Sequence, residues 1–102
     1  MNPNKPRWHL LPWRPLSAVA RLMSANAEKH GERGYETRDA LEYQNAAQRH
    51  LAAMMSGDMI DAESGELHAV CLAANALIVA YHHNKILLHE EKRGVTEKRE
   101  GD

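Results

Sequence analysis

The chain has 102 residues, 43% of them hydrophobic, which suits one folded domain and is too short for two. Thirteen basic and 14 acidic residues leave a formal charge of −1, so no global field draws it to nucleic acid or to an anionic membrane. The single cysteine, Cys71, excludes an intramolecular disulfide and fits a reducing compartment, and no apolar run is long enough to span a bilayer.

The first thirteen residues hold three of the four prolines and both tryptophans. Proline fixes φ and removes a donor, so 1–13 reads as an extended arm, with Trp8, Leu10, Leu11 and Trp13 available to dock. Its opening residues lead into Trp and Pro rather than an apolar run, so no signal peptide is expected and the expected location is cytoplasmic. A first helix is expected from near Pro15 through Leu16, Val19, Ala20 and Met23 to Lys29, stopping at Gly31.

Residues 31–36 read as a loop, after which Thr37 is a reasonable N-cap for a second helix from Arg38 to about Ser56. Ala40, Ala47, Leu51, Met54 and Met55 are expected on its buried side, with Asp39, Tyr43, Ala46, His50 and Ala53 as a neighbouring stripe. An acidic connection follows, carrying Asp58, Asp61, Glu63 and Glu66 with no basic residue among them, and charges that close require compensation. The third helix, Glu66 to about Leu88, is rich in Leu, Ala, Val and Ile yet places His68, Cys71, Asn75 and His82 in one stripe. Residues 90–102 form a charged tail expected to fray, beyond a helical domain spanning 14–89.

No strand pattern is visible, phenylalanine is absent, and the apolar residues are mostly Leu, Ala, Met and Val. These point to an all-α fold, a small three-helix unit with an extended arm. Three helices leave much of a small domain wet, so completion of a helical bundle by a homo-oligomer is expected.

If the second and third helices are antiparallel neighbours, His50 and His68 approach each other near the acidic connection. Asp58, Asp61 and Glu63 lie on the connection between the two imidazoles, so mixed His and carboxylate ligands could surround one divalent metal, with His50, Asp61 and His68 as the preferred candidates. Carboxylates favour Mg or Mn, while imidazole also tolerates Zn, Ni or Fe. Glu63 and Asp58 are the candidate catalytic carboxylates, to orient an attacking water. The competing reading makes Asp61 or Ser64 the cap of the third helix and His68 and Asn75 ordinary interhelical hydrogen-bonders.

An anionic phosphate chain needs converging cations, and Lys5, Arg7, Lys29, Arg33 and Arg49 are available, with Trp8 or Tyr35 to stack on a base. Asn75 is a further candidate contact. These residues by themselves allow an anion site, against the competing reading of Lys29 and Arg33 as plain surface charges, and imply neither membrane nor nucleic acid; a nucleotide as partner is what the resemblance below implies.

The run Lys5-Pro6-Arg7-Trp8-His9-Leu10-Leu11-Pro12, then Ala27-Glu28-Lys29-His30-Gly31-Glu32-Arg33, then Arg49-His50-Leu51, then Asp61-Ala62-Glu63-Ser64-Gly65 with His68 and Asn75, resembles the small phage domain known as dATP/dGTP diphosphohydrolase, N-terminal. The resemblance covers about Lys5 to Tyr81 and implies a helical relative of the MazG-like pyrophosphohydrolases, which are oligomeric, metal-dependent and cleave nucleotides between the α and β phosphates. His50, Asp61, Glu63 and His68 match its polar block, and Arg7 and Trp8 its N-terminal block. Two positions depart from it: Cys71 stands where a second His is frequent, and Glu90-Glu91 lack the third carboxylate of the MazG signature. The function this implies is hydrolysis of purine deoxynucleoside triphosphates in the host cytoplasm. Rival functions are non-catalytic nucleotide sequestration, as against a host defence signal, and a helical oligomer acting through protein contacts alone.

Overall fold

In the computed structural model the described backbone is 5–101, with described side chains running to Glu91. Among the described residues three α-helices form: α1 (Trp13–His30), α2 (Ala40–Met55) and α3 (His68–Gly101). No strand forms among the described residues, and the fold is all-α.

The arm is not wholly extended. Trp8–Leu10 wind into one 3-10 turn, closed by Leu11 N–H donating to Trp8 C=O at 3.1 Å, and helix begins already at Trp13. Nor does the arm bury its aromatic rings, since Trp8 remains 65% exposed and Trp13 is exposed as well. α1 ends at Gly31, whose φ of 83° favours glycine and whose N–H donates to Ala27 C=O at 2.8 Å.

A second 3-10 turn, Gly34–Thr37, fills the connection to α2. It commits the Thr37 hydroxyl to Gly34 C=O, so the N-cap passes from Thr37 to Asp39, whose Oδ1 accepts from Leu41 N–H at 3.0 Å. α2 closes in a Schellman arrangement: Asp58 N–H donates to Ala53 C=O and Gly57 N–H to Met54 C=O, both at 3.0 Å. Gly57 takes the required positive φ, 92°.

α3 starts at His68, two residues later than expected, because the incoming loop supplies its cap. Met59 C=O accepts from His68 N–H at 2.8 Å, and Asp61 N–H donates to Glu66 C=O at 2.8 Å. The helix continues past Leu88 to Gly101. The solvated-tail expectation falls largely on side chains from Lys92 onward, outside the described residues.

α2 and α3 run antiparallel, as the pairings of Tyr43 with His82 and of His50 with His68 require. α1 packs Ala18, Val19, Leu22 and Met23 on Val70 and Ala74 of α3. Among the described residues no Cα of α1 comes within 8 Å of one in α2, so both helices lie on α3 and leave a trough between them.

The side of α2 that meets α3 is the stripe of Tyr43, Ala46, Ala47, His50 and Ala53, all partly buried, while Leu51, Met54 and Met55 are exposed. This reverses the expected preference for the larger apolar residues. Small side chains let the helices approach, and the imidazole of His50 finds a partner on α3 that no methionine could use.

Candidate functional site

The Schellman turn and the capped loop bring the sequence-chosen polar residues to one end of the α2–α3 pair. Donor atoms of His50, Asp61 and His68 all lie within 4.8 Å of one another. His68 is only 8% exposed, and its ring is bracketed, with Nδ1 2.9 Å from His50 Nδ1 and Nε2 3.2 Å from Asp58 Oδ2. A carboxylate only accepts, so Nε2 carries the His68 hydrogen and Nδ1 turns its lone pair toward His50. In the neutral pair the His50 Nδ1–H donates across that gap.

Burial chiefly lowers the His50 pKa below its ordinary value, working with the nearby charge of Arg49 and against the pull of Asp61. Asp61 is held ionised: Ser64 donates to its Oδ2 from both the hydroxyl, at 2.6 Å, and the backbone N–H, at 2.9 Å, and these bonds lower its pKa. A neutral imidazole and an ionised carboxylate are the forms that ligate a divalent ion. Burial pushes the Cys71 thiol up, and Cys71 stands outside the group of converging donors.

Each acid of the connection has its own counterpart, which answers the repulsion the sequence posed. Asp58 faces His68, Asp61 takes the Ser64 donors, Glu63 pairs with Lys29 at 3.6 Å, and Glu66 pairs with Arg21 at 3.2 Å. Asp61 and Ser64 serve each other rather than capping α3. Glu63 is the most open of the four, with its side chain 83% exposed.

The trough between α1 and α2 forms a cavity of about 560 Å³, within the range of small-molecule sites. Its floor is Asn75 and Ile78 of α3, and its walls include Arg33, Arg38 and Arg49 with Tyr35 and Tyr43. Asn75 lies seven residues beyond His68, about 10 Å along the helix, so cavity and cluster are neighbours on one axis. Asn75 donates from Nδ2 to Cys71 C=O at 2.7 Å.

Two of the three guanidinium groups are committed. Arg33 pairs with Glu36, and Arg38 with Glu42 at 2.6 Å. Arg49 makes no ion pair or hydrogen bond among the described residues. Tyr35 is fixed by its carbonyl, which accepts from His82 Nε2 at 2.9 Å, and by an edge contact with Tyr81. Tyr81 in turn donates to Glu36 Oε2 at 2.9 Å, tying the cavity wall to α3.

Of the residues chosen from sequence, His50, Asp61, His68 and Asp58 meet, while Arg33, Arg49 and Asn75 line the cavity. Lys29 pairs with Glu63 and lines neither cluster nor cavity, and among the described residues Lys5, Arg7 and Trp8 likewise belong to neither cluster nor cavity wall. Sequence reasoning overlooked Ser64 as the holder of Asp61, though Asp-x-x-Ser in a glycine-bearing loop is a legible turn signal. It also passed over Tyr43 as a wall residue, whose place one face along from His50 was visible in the stripe they share.

A family model described as dATP/dGTP diphosphohydrolase, N-terminal, matches residues 1–91. The chain belongs to that family. The match takes in α1, α2, the acidic loop and the described side chains of α3, so cluster and cavity both lie inside the family domain. No curated protein and no solved structure matches the chain. Among the described residues no helix is long and apolar enough to cross a membrane.

Proposed function

We propose that this family domain hydrolyses purine deoxynucleoside triphosphates to monophosphate and pyrophosphate, with a divalent cation held by His50, Asp61 and His68. The observation that carries the reading is the convergence of those three donors beside a cavity that has one uncommitted guanidinium and two tyrosine walls. The donor set fits such an ion: with the His50 hydrogen moved to Nε2, both imidazoles would turn an Nδ1 lone pair toward it beside the ionised Asp61 carboxylate, a set that suits Mn, Zn, Ni or Fe and accepts Mg less readily. Bound there, the ion supplies positive charge to the phosphate oxygens.

The remaining work falls to the chain's own groups. Arg49 neutralises charge that develops on the phosphates, and having no carboxylate partner among the described residues leaves its donors for that use. Tyr35 and Tyr43 offer ring faces to a base. Asp58, already engaged, holds His68 in the tautomer that presents Nδ1, so its role is positioning rather than the water activation expected from sequence. Glu63 is then the carboxylate suited to accept a proton from the attacking water, because its exposed pairing with Lys29 at 3.6 Å is weak and readily exchanged.

A second reading, nucleotide binding without turnover, is favoured by one contact. The 2.9 Å approach of His50 to His68 satisfies both imidazoles with no cation between them. Incubation with dATP, dGTP, ATP and GTP plus Mg²⁺ or Mn²⁺, followed by chromatography, separates the two. Hydrolysis predicts metal-dependent pyrophosphate release; sequestration predicts nucleotide retained by the protein and recovered intact. A protein that neither retains nor converts any of the four overturns both.

A further inference from the structure

Cys71 is the one cysteine of the chain and is 2% exposed, and neither the donor cluster nor the cavity uses its side chain. It stands in the first turn of α3, one turn beyond His68. Its Sγ lies 3.5 Å from Ser64 Oγ and 3.9 Å from Asp61 Oδ2, both within hydrogen-bonding reach of a sulfur. Distance alone does not say which atom donates.

The count of hydrogens decides it. Asp61 is ionised and only accepts, so the single hydroxyl hydrogen of Ser64 goes to Asp61 Oδ2, at 2.6 Å. Ser64 Oγ then has two lone pairs to fill. Glu66 N–H donates to one of them at 3.2 Å, and the other is left for Cys71. The thiol keeps its hydrogen at neutral pH, because a free cysteine ionises only at about 8.5. The S–H is therefore the donor toward either neighbour, and Ser64 is the nearer.

The result is a chain from S–H to hydroxyl to carboxylate, reinforced where Ser64 N–H donates to the same Asp61 Oδ2 at 2.9 Å. Asp61 Oδ1 accepts no hydrogen bond among the described residues. Asp61 and Ser64 both belong to the loop, whereas Cys71 is anchored in the buried side of the helix that carries His68. The thiol thus ties the loop pair to α3. Packing alone would make valine its equivalent at this position; a hydrogen-bond chain makes serine the equivalent.

We propose that Cys71 is a positioning residue for the cluster: its S–H, given to Ser64 Oγ, holds the Asp61 carboxylate with Oδ2 engaged and Oδ1 left for the cation. The purpose rests on the metal reading above, while the hydrogen-bond chain stands without it.

Infrared spectroscopy of the full chain in chelator tests the chain of bonds, since one cysteine gives one S–H stretching band. The wild-type band is expected below that of an alkyl thiol in an apolar solvent, and Ser64→Ala, at an exposed loop position, is expected to move it. A band at the free-thiol position, or one that Ser64→Ala leaves in place, overturns the proposal. Calorimetric titration with Mn²⁺ tests the purpose. Cys71→Val, which keeps the apolar bulk and lacks the donor, is expected to weaken Mn²⁺ binding about tenfold with helix content unchanged, while Cys71→Ser retains the wild-type affinity. Ser64→Ala breaks the same chain without entering the core, so it gives the affinity loss even where Cys71→Val fails to fold. Wild-type affinity in Cys71→Val or in Ser64→Ala overturns the positioning role. A wild type that binds no Mn²⁺ overturns the metal reading and this role together, whereas the band, read without metal, reports on the hydrogen bond alone.

Discussion

On the cavity side of the α2–α3 hairpin the polar groups around the cluster have been given partners within the chain: His50 meets His68, His68 meets Asp58, and Asp61 meets Ser64. On the opposite side Leu51, Met55 and Leu87 project from the chain alone, with alanines between them. The same two helices thus carry a site organised by internal hydrogen bonds and a surface whose apolar groups find no cover. The contrast teaches that the fold spends its directional interactions on positioning a small polar cluster. Stability has to come from elsewhere, because hydrogen bonds among partly exposed groups contribute little net free energy.

The comparison breaks most severely at Asp61. Asp61→Ala removes a cluster donor and leaves both Ser64 donors without their acceptor. Pyrophosphate release is expected to fall at least about 100-fold, in line with loss of a principal charge-stabilising group. Calorimetric titration with Mn²⁺ should show the metal affinity lost, while the sedimentation behaviour stays that of the wild type. Unchanged Mn²⁺ affinity would remove the metal reading.

Asp58→Asn should have a smaller effect on the same side. The amide can present its NH₂ to His68 Nε2 and so reverse the tautomer that the carboxylate fixes. Metal affinity is expected to drop about 10- to 100-fold with helix content unchanged. Nitrogen NMR of the His68 ring gives the independent readout: loss of the preference for Nε2–H in the variant supports a positioning role. An unaltered tautomer and affinity would contradict it.

Between these and the weakest effects lies the turn that aims Asp58. Gly57 has φ 92° with nothing within 4 Å of an added Cβ, so Gly57→Ala meets only backbone strain. The expected cost is about 1–2 kcal/mol. It is read as a lower urea midpoint at an unchanged slope; a midpoint equal to the wild type would mean that the turn relaxes freely and does not hold Asp58 in place.

Much of the front was legible in the sequence, and little of the back. Apolar periodicity located all three helices, and the acidic connection between two imidazole-bearing helices pointed to His50, Asp61 and His68 as neighbours. Periodicity failed where two adjoining stripes of α2 are both apolar enough to be core: Leu51, Met54 and Met55 read as the buried side, but the structure turns Tyr43, Ala46, His50 and Ala53 toward α3 instead. The same ambiguity covers Trp8 and Trp13, apolar enough to dock and yet exposed. The shift of the cap from Thr37 to Asp39 followed from a 3-10 turn that claimed the threonine hydroxyl, a local competition that propensity alone does not rank.

The smallest expected effect is on pH dependence, and its sign follows from His50. Burial lowers its pKa from the ordinary 6.5, so below that pH the unfolded chain binds protons that the native chain refuses. Stability therefore falls as the pH drops beneath about 6.5 and recovers as it rises, a direction opposite to that of a histidine stabilised by a salt bridge. The groups facing His50 act on it unequally: Asp61 and Glu63 favour its charged form, while His68 and Arg49 oppose it. Asp61 adds its own loss only at more acid pH, because its pKa is lowered from 3.8 and its contribution is complete above that value. In the presence of chelator, the urea midpoint should be lower at pH 5.5 than at pH 7.5, and His50→Asn should narrow that difference. A midpoint that rises on acidification, or a difference that His50→Asn leaves intact, would show that the imidazole pair is not the pH-sensitive element.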